Sequence, residues 1–394
     1  MKKTIFILTA VMLIFILGCR LEELMPPIPD QCTFERVYDD HAAGFLAIND
    51  IAATPDGNFI ICGTMDDDTF LMKIAPNGDE IFTKRDGTPG LNQSCNSIVV
   101  TPDGGFLACG TKESRAFAVK YDAEGNRETE KSLEAAVTST CTCIIDDNDG
   151  NYVFSGNVRR LNNHENTYVG RIVLNDDIEF RAGYLSLQQR DTLERALSIV
   201  AVPGGYAVTG FSFYPASIGD GNASAVHFYR LNNDLMIQNE NFYHLGNFSD
   251  VGASIVSTVG GDFIITGDLE KTQGPDAFAF KVNQNGDNLQ LAEYGGIGRD
   301  FGYDIIAGNQ SNEYIIGGRS PSFGSDNSDD FYLLKISENV AVTVWERTFG
   351  IAGADESIEA VIRADCGYIA VGTRIQNGLM KPYIVKVNEE GNVE

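Results

Sequence analysis

The 394-residue chain carries 55 acidic against 29 basic residues, for a net charge of −26, and 43% of its residues are apolar. Such a chain repels phosphate backbones and anionic headgroups, which argues against a nucleic-acid partner. The apolar share is that of a packed globule, so the charge is no sign of disorder. The chain opens Met1-Lys2-Lys3 and continues with an apolar run over residues 5–17. A basic start followed by a short apolar stretch reads as a secretory signal. A run of 13 residues is shorter than the about 20 that a spanning helix needs.

That run ends Ile16-Leu17-Gly18-Cys19. The tetrad resembles the lipobox of bacterial lipoproteins, in which the signal is cut before a cysteine and that cysteine is acylated. The resemblance implies a signal peptide over 1–18, a fatty-acyl (palmitate-type) anchor on Cys19 and a membrane as partner. Pro26, Pro27 and Pro29 make 19–31 an extended tether from the lipidated cysteine to the domain that follows. Glu22-Glu23 resembles the acidic signals of Bacteroidetes-type surface lipoproteins. The implied address is the cell envelope, in the outer membrane, with surface exposure expected.

From residue 32 onward one unit recurs, and repeats of this length signal a repeat architecture. Its first element is an aromatic residue with glycine four positions on: Phe59 with Gly63, Phe106 with Gly110, Tyr152 with Gly156, Tyr206 with Gly210, Phe263 with Gly267, Tyr314 with Gly318, and Tyr368 with Gly372. The second is an aromatic or His with Lys or Arg three positions on, ending in turn at Lys73, Lys120, Arg171, Arg230, Lys281, Lys335 and Lys386. Both read as strands. Pro55-Asp56-Gly57 and Pro102-Asp103-Gly104 close the hairpin before the first element. Asn77-Gly78 and Asn285-Gly286 close the one after the second. A short apolar run precedes each unit, and a fourth strand such as residues 344–349 follows it. No helical periodicity is present.

Four antiparallel strands per repeat of 46–57 residues is the blade of a β-propeller. The expected architecture is all-β: residues 32–394 form one seven-bladed β-propeller. The seventh repeat has no fourth strand of its own. Phe34-Glu35-Arg36-Val37-Tyr38 matches Trp345-Glu346-Arg347-Thr348-Phe349, so the N-terminal segment is expected to pair onto the last blade and close the ring. Tyr294-Gly295-Gly296 through Ile306, Glu313 through Gly318, and Asp329 through Ile336 resemble the bacterial propeller repeat called SBBP. Pro102 through Gly110 resembles the related delta-type repeats. The resemblance implies the fold and supplies no catalytic residue.

Seven cysteines remain beyond Cys19, and an odd number cannot all pair within the chain. Cys141-Thr142-Cys143 is read as two thiols on one strand face, and most of the seven as small buried apolar residues.

Features common to all repeats point to structure, and differences between repeats to function. The connection between the two elements is long in repeats three, four and six, and binding residues concentrate on such loops. His164, Phe213, Tyr214 and Phe323 are the candidate contacts. Asp326, Asp329 and Asp330 are candidate calcium ligands, although no EF-hand spacing is present; no other cofactor is expected. Enzyme signatures such as GxSxG, HExxH and the P-loop are absent. The expected function is therefore non-enzymatic binding or scaffolding of a protein or glycan partner. The alternatives are a carbohydrate-active enzyme with paired carboxylates near the axis and a structural subunit of an outer-membrane complex.

Overall fold

The computed structural model describes residues 32–394 except 135–136, 148–150, 160–164, 176, 186–192, 214–222, 247, 325 and 327. Cys19, His164 and Tyr214, with the signal and tether segments, lie outside the described residues. The described chain is all-β, with one 3-10 turn at Asp39–His41.

Its strands form seven four-stranded antiparallel units in chain order, here sheets one to seven. Their first strands are Leu46–Ala53, Gln93–Val100, Thr138–Asp146, Leu193–Val202, Asp250–Ser257, Phe301–Ala307 and Asp355–Ala364. A single parallel bridge, Glu165 to Leu193, joins sheets three and four. Sheet seven supplies three strands from the C-terminal repeat, and Phe34–Val37 pairs antiparallel with Leu379–Asn388 as its fourth.

The apolar core of the described residues is split into seven clusters, each between two successive sheets. Ile48, Phe70 and Met72 of sheet one pack on Ile369, Val371 and Ile384 of sheet seven. Covering on both faces is why strands such as Phe59–Met65 are buried at every residue. Burying one such Phe or Ile side chain stabilises the fold by about 1.5–3 kcal/mol.

In most sheets the recurrent Lys or Arg reaches the next sheet. Lys73, Arg171, Arg230, Lys335 and Lys386 stand 5.1–6.0 Å from the centroids of Phe106, Tyr206, Phe263, Tyr368 and Phe59 respectively. In each case the ring is the first aromatic of the next sheet, and Lys386 reaches from sheet seven to sheet one. The lysines are anchored by an acid in their own first hairpin. Lys73 pairs with Asp56 at 2.8 Å, Lys120 with Asp103 at 2.9 Å, Lys335 with Glu313 at 2.6 Å and Lys386 with Asp365 at 2.6 Å. The aspartate of the Pro-Asp-Gly turn thus serves as a counter-ion as well as a turn former. Hydrogen bonds from Thr101 and Lys120 hold Asp103 down at about 2. Gly78 meets two needs at once: its φ is +82°, and a Cβ there would strike the ring of Phe34.

The cysteines correct the sequence reading. Cys32 is bonded to Cys366 and Cys109 to Cys141, over separations of 334 and 32 residues. Cys62, Cys95 and Cys143 carry no bridge in this structure. Cys141 and Cys143 do not share a face either. A β-bulge at Thr142 sets Cys141 opposite Gly156 and Cys143 opposite Ser155, so the two side chains turn to opposite sides.

Candidate functional site

That bulge recurs in the first strand of all seven sheets, with Asn49, Asn96, Thr142, Leu197, Ala253, Tyr303 and Glu359 as the extra residues. A bulge breaks the ladder and leaves backbone groups that need other partners. In the early sheets the next sheet is tied down by side chains. Asn49 Nδ2 donates to Cys95 O at 2.5 Å, Asn96 Nδ2 to Cys141 O at 2.6 Å, and Thr142 Oγ1 to Ala196 O at 2.8 Å. The residue after the bulge accepts an N–H from the next sheet. Asp50 accepts from Ile98 N at 2.9 Å, Ser97 Oγ from Ile144 N at 3.2 Å, and Asp304 from Val361 N at 3.0 Å.

First-strand residues of all seven sheets, among them Asp50, Ser97, Cys143, Ser198, Ser254 and Asp304, line one cavity of about 610 Å³. Burial pushes the Asp50 carboxyl up to about 6 and raises Asp304 as well, against the hydrogen bonds they accept. These two are carboxylates near the centre of the molecule, yet both are committed to backbone N–H groups. Their chemistry is structural.

Toward the opposite end, where the connections between second and third strands lie, sheets five to seven differ. Tyr303 and Glu359 occupy the bulge, and Asp268 and Arg319 directly follow the repeat glycines Gly267 and Gly318. The Arg319 guanidinium lies 4.4 Å from the Phe301 centroid and 5.9 Å from that of Tyr303, and it pairs with Asp329 at 2.8 Å. Arg319 Nε is buried without a hydrogen-bond partner. Tyr303 lies within electrostatic reach of Arg319, Glu359 and Asp268. Burial, reinforced by Glu270 and Asp250, pushes Asp268 up to about 6. Burial likewise raises Glu359, opposed by its bond from Ser357 and by Arg319. Two carboxyls with raised pKa, a phenol and a guanidinium therefore meet in one place, the mixture expected of a functional site.

The same end of sheet five holds a cavity of about 480 Å³ lined by Leu245, Phe248, Lys271, Gln273 and Glu293. Phe248 is exposed there. The residues singled out from sequence fall around this sector in part. Phe323 is exposed and stacks on Tyr332 at 5.6 Å. Phe213 ends the strand Gly205–Phe213, half-buried and paired with Leu193. The long connection expected in repeat three is shorter, because its strands run to Arg159 and resume at Glu165.

The three acidic residues are each engaged with groups of the protein. Asp326 accepts from Ser328 and from Gly353 N, Asp329 pairs with Arg319, and Asp330 sits against Gly324 and Gly350. Among the described residues no three His, Cys, Asp or Glu side chains are grouped to hold a metal ion. The sequence reading missed Asp268, Tyr303, Arg319 and Glu359. Aligning the residue after each repeat glycine would have exposed two of them: Thr64, Thr111, Asn157, Phe211 and Thr373 are uncharged where Asp268 and Arg319 are charged.

No protein-family model matches the chain, and no curated protein matches it. Among solved structures it is similar to a PL25 polysaccharide lyase, an ulvan lyase bound to -[GlcA(1-4)Rha3S]-. The identity is 12% and the TM-score 0.58, over 89% of this chain and 97% of that one. A second structure of a PL25 ulvan lyase gives a TM-score of 0.59 at the same identity and coverage. Drosophila Plexin A, in complex with Semaphorin 1b, is 10% identical with a TM-score of 0.50, over 90% and 86% of the two chains. What these proteins share with this chain is the fold, an all-β propeller of four-stranded antiparallel sheets.

Proposed function

We propose that the protein is an envelope lipoprotein of the SBBP repeat type, a closed seven-bladed propeller that binds a neutral glycan. The binding face is the end carrying Asp268, Tyr303, Arg319 and Glu359. The observation that carries this reading is the unpaired Arg319 Nε among two carboxyls and two aromatic rings. Sugars are held by such groups: rings take their C–H faces, and carboxyl and guanidinium groups take their hydroxyls. Phe248 and Phe323 extend the apolar part of that end. The net charge of −26 disfavours a polyanionic glycan, so the ligand class is uncharged.

Closure of the ring is supported by Phe34–Val37 on the last sheet and by the apolar cluster between sheets seven and one. Export is supported by the two disulfides, which persist in oxidising compartments. Cys19 is the proposed lipid anchor, and the outer membrane the proposed location.

The test is binding of the intact protein to arrayed envelope glycans, repeated with Arg319→Ala. Retention of a neutral glycan by the native chain and its loss in the variant support the reading. Equal retention by both removes this site.

A second reading is favoured by one observation: Asp268 and Glu359 both have raised pKa beside Tyr303. In that arrangement one carboxyl can remain protonated as an acid, the requirement for glycan cleavage. Release of shortened saccharides by the native chain, abolished in Glu359→Gln, separates cleavage from binding.

A further inference from the structure

Cys62 lies in the second strand of sheet one, opposite Asp50, the residue after the bulge. Cys109 lies in the second strand of sheet two, opposite Ser97, again the residue after the bulge. Cys95 precedes the bulge of sheet two, opposite Gly110, and Cys141 precedes the bulge of sheet three, opposite Gly156. Cys62 therefore stands to Cys95 as Cys109 stands to Cys141, one sheet earlier in the chain. The later pair is a disulfide with Cα atoms 5.8 Å apart, inside the range that a bridge requires. The earlier pair is buried in one apolar cluster, and Cys95 is among the groups that raise the Cys62 thiol pKa.

We propose that Cys62 and Cys95 form a third disulfide, the counterpart in sheets one and two of Cys109–Cys141. The oxidant is an external disulfide, by class a thiol–disulfide exchange partner of the oxidising compartment. One cysteine thiolate attacks a sulfur of that disulfide and releases a thiolate, leaving a mixed disulfide. The second cysteine, after losing its proton, displaces the remaining external sulfur. The two protein thiols give up two protons and two electrons, and the external disulfide becomes two thiols. Both protein sulfurs are fully buried once the sheets have packed, so exchange takes place before sheets one and two close on each other.

The bridge also resolves the cysteine count. Of eight cysteines, three bridges use six, the proposed anchor uses Cys19, and Cys143 alone stays a thiol, facing the central cavity. The bridge is independent of the glycan-binding reading.

The test is peptide mapping of the full-length protein, exported into an oxidising compartment, purified without reductant, denatured and alkylated with iodoacetamide. The expected result is a cross-linked peptide joining Cys62 and Cys95, with Cys143 the alkylated position among the described cysteines. Alkylation of both Cys62 and Cys95 overturns the proposal, whatever the state of the other bridges. A link from either of them to Cys143 overturns it equally. The Cys109→Ala, Cys141→Ala double variant is a second check: the Cys62–Cys95 link is expected to persist there, because it does not depend on its neighbour.

Discussion

At the bulges of sheets one, two and three the extra residue is Asn49, Asn96 or Thr142, and each donates to a carbonyl of the following sheet. At the bulges of sheets six and seven it is Tyr303 or Glu359. Glu359 takes its bond from Ser357 of its own sheet, and Tyr303 lies beside Arg319 of its own sheet. The same backbone irregularity thus locks one sector together and, in the other, presents side chains released from that duty. A repeated scaffold gives a direct control: where seven equivalent positions exist, those that hold the frame show what the others have been relieved of.

The largest effect should come from the locking side. Asp50→Ala leaves the Ile98 N–H and the Ser97 hydroxyl without their acceptor. A loss of about 2–3 kcal/mol is expected, visible as a lower urea midpoint. Next comes Arg319→Ala, expected to weaken glycan binding about tenfold, close to 1.4 kcal/mol by calorimetry, with the urea midpoint little changed. If it unfolds the protein instead, the two sectors are not divided as described. Asn96→Ala removes one inter-sheet bond and should cost about 1 kcal/mol in the same denaturation, leaving binding intact.

The remaining predictions concern pH. Asp50 has a folded pKa of about 6, raised above the unfolded value by burial. Its contribution to stability is complete below the ordinary aspartate range and is lost as pH rises through about 6. Asp50→Asn should flatten that part of the melting-temperature profile. Asp268 also titrates near 6, but it belongs to the other sector. As a carboxylate it accepts sugar hydroxyl donors better, so affinity should rise with pH through that range and cease to do so in Asp268→Asn. Profiles that exchange places would break the comparison.

The frame was readable from sequence because its signals are local and repeated seven times. Gly78 and the Pro-Asp-Gly turns announce hairpins, and the aromatic and lysine positions mark strands. The bulges were not readable. Each is an offset between two strands, as between Cys141 and Cys143, and no single-strand pattern encodes it. The disulfides were hidden for the same reason, since Cys109 meets Cys141 only once two sheets pack. Loop length drew attention to repeats three, four and six, whereas Asp268 and Glu359 sit inside strands of sheets five and seven. Their signal is a departure from the residue found at equivalent positions, which only an alignment of the repeats brings out.

The link between Cys32 and Cys366 has a mechanical consequence. The strand Phe34–Val37 is held to its neighbour by a backbone ladder and by the Tyr383 hydroxyl donating to Glu35, and a pull on its leading end would unzip it one pair at a time. Cys32 lies ahead of that strand and is covalently joined to Cys366, in the hairpin between the first two strands of sheet seven. A load that enters the domain at residue 32 therefore has a route into the interior of the sheet that bypasses the peeling edge. The domain can be tugged from its N-terminal side and bear the strain in a sulfur–sulfur bond.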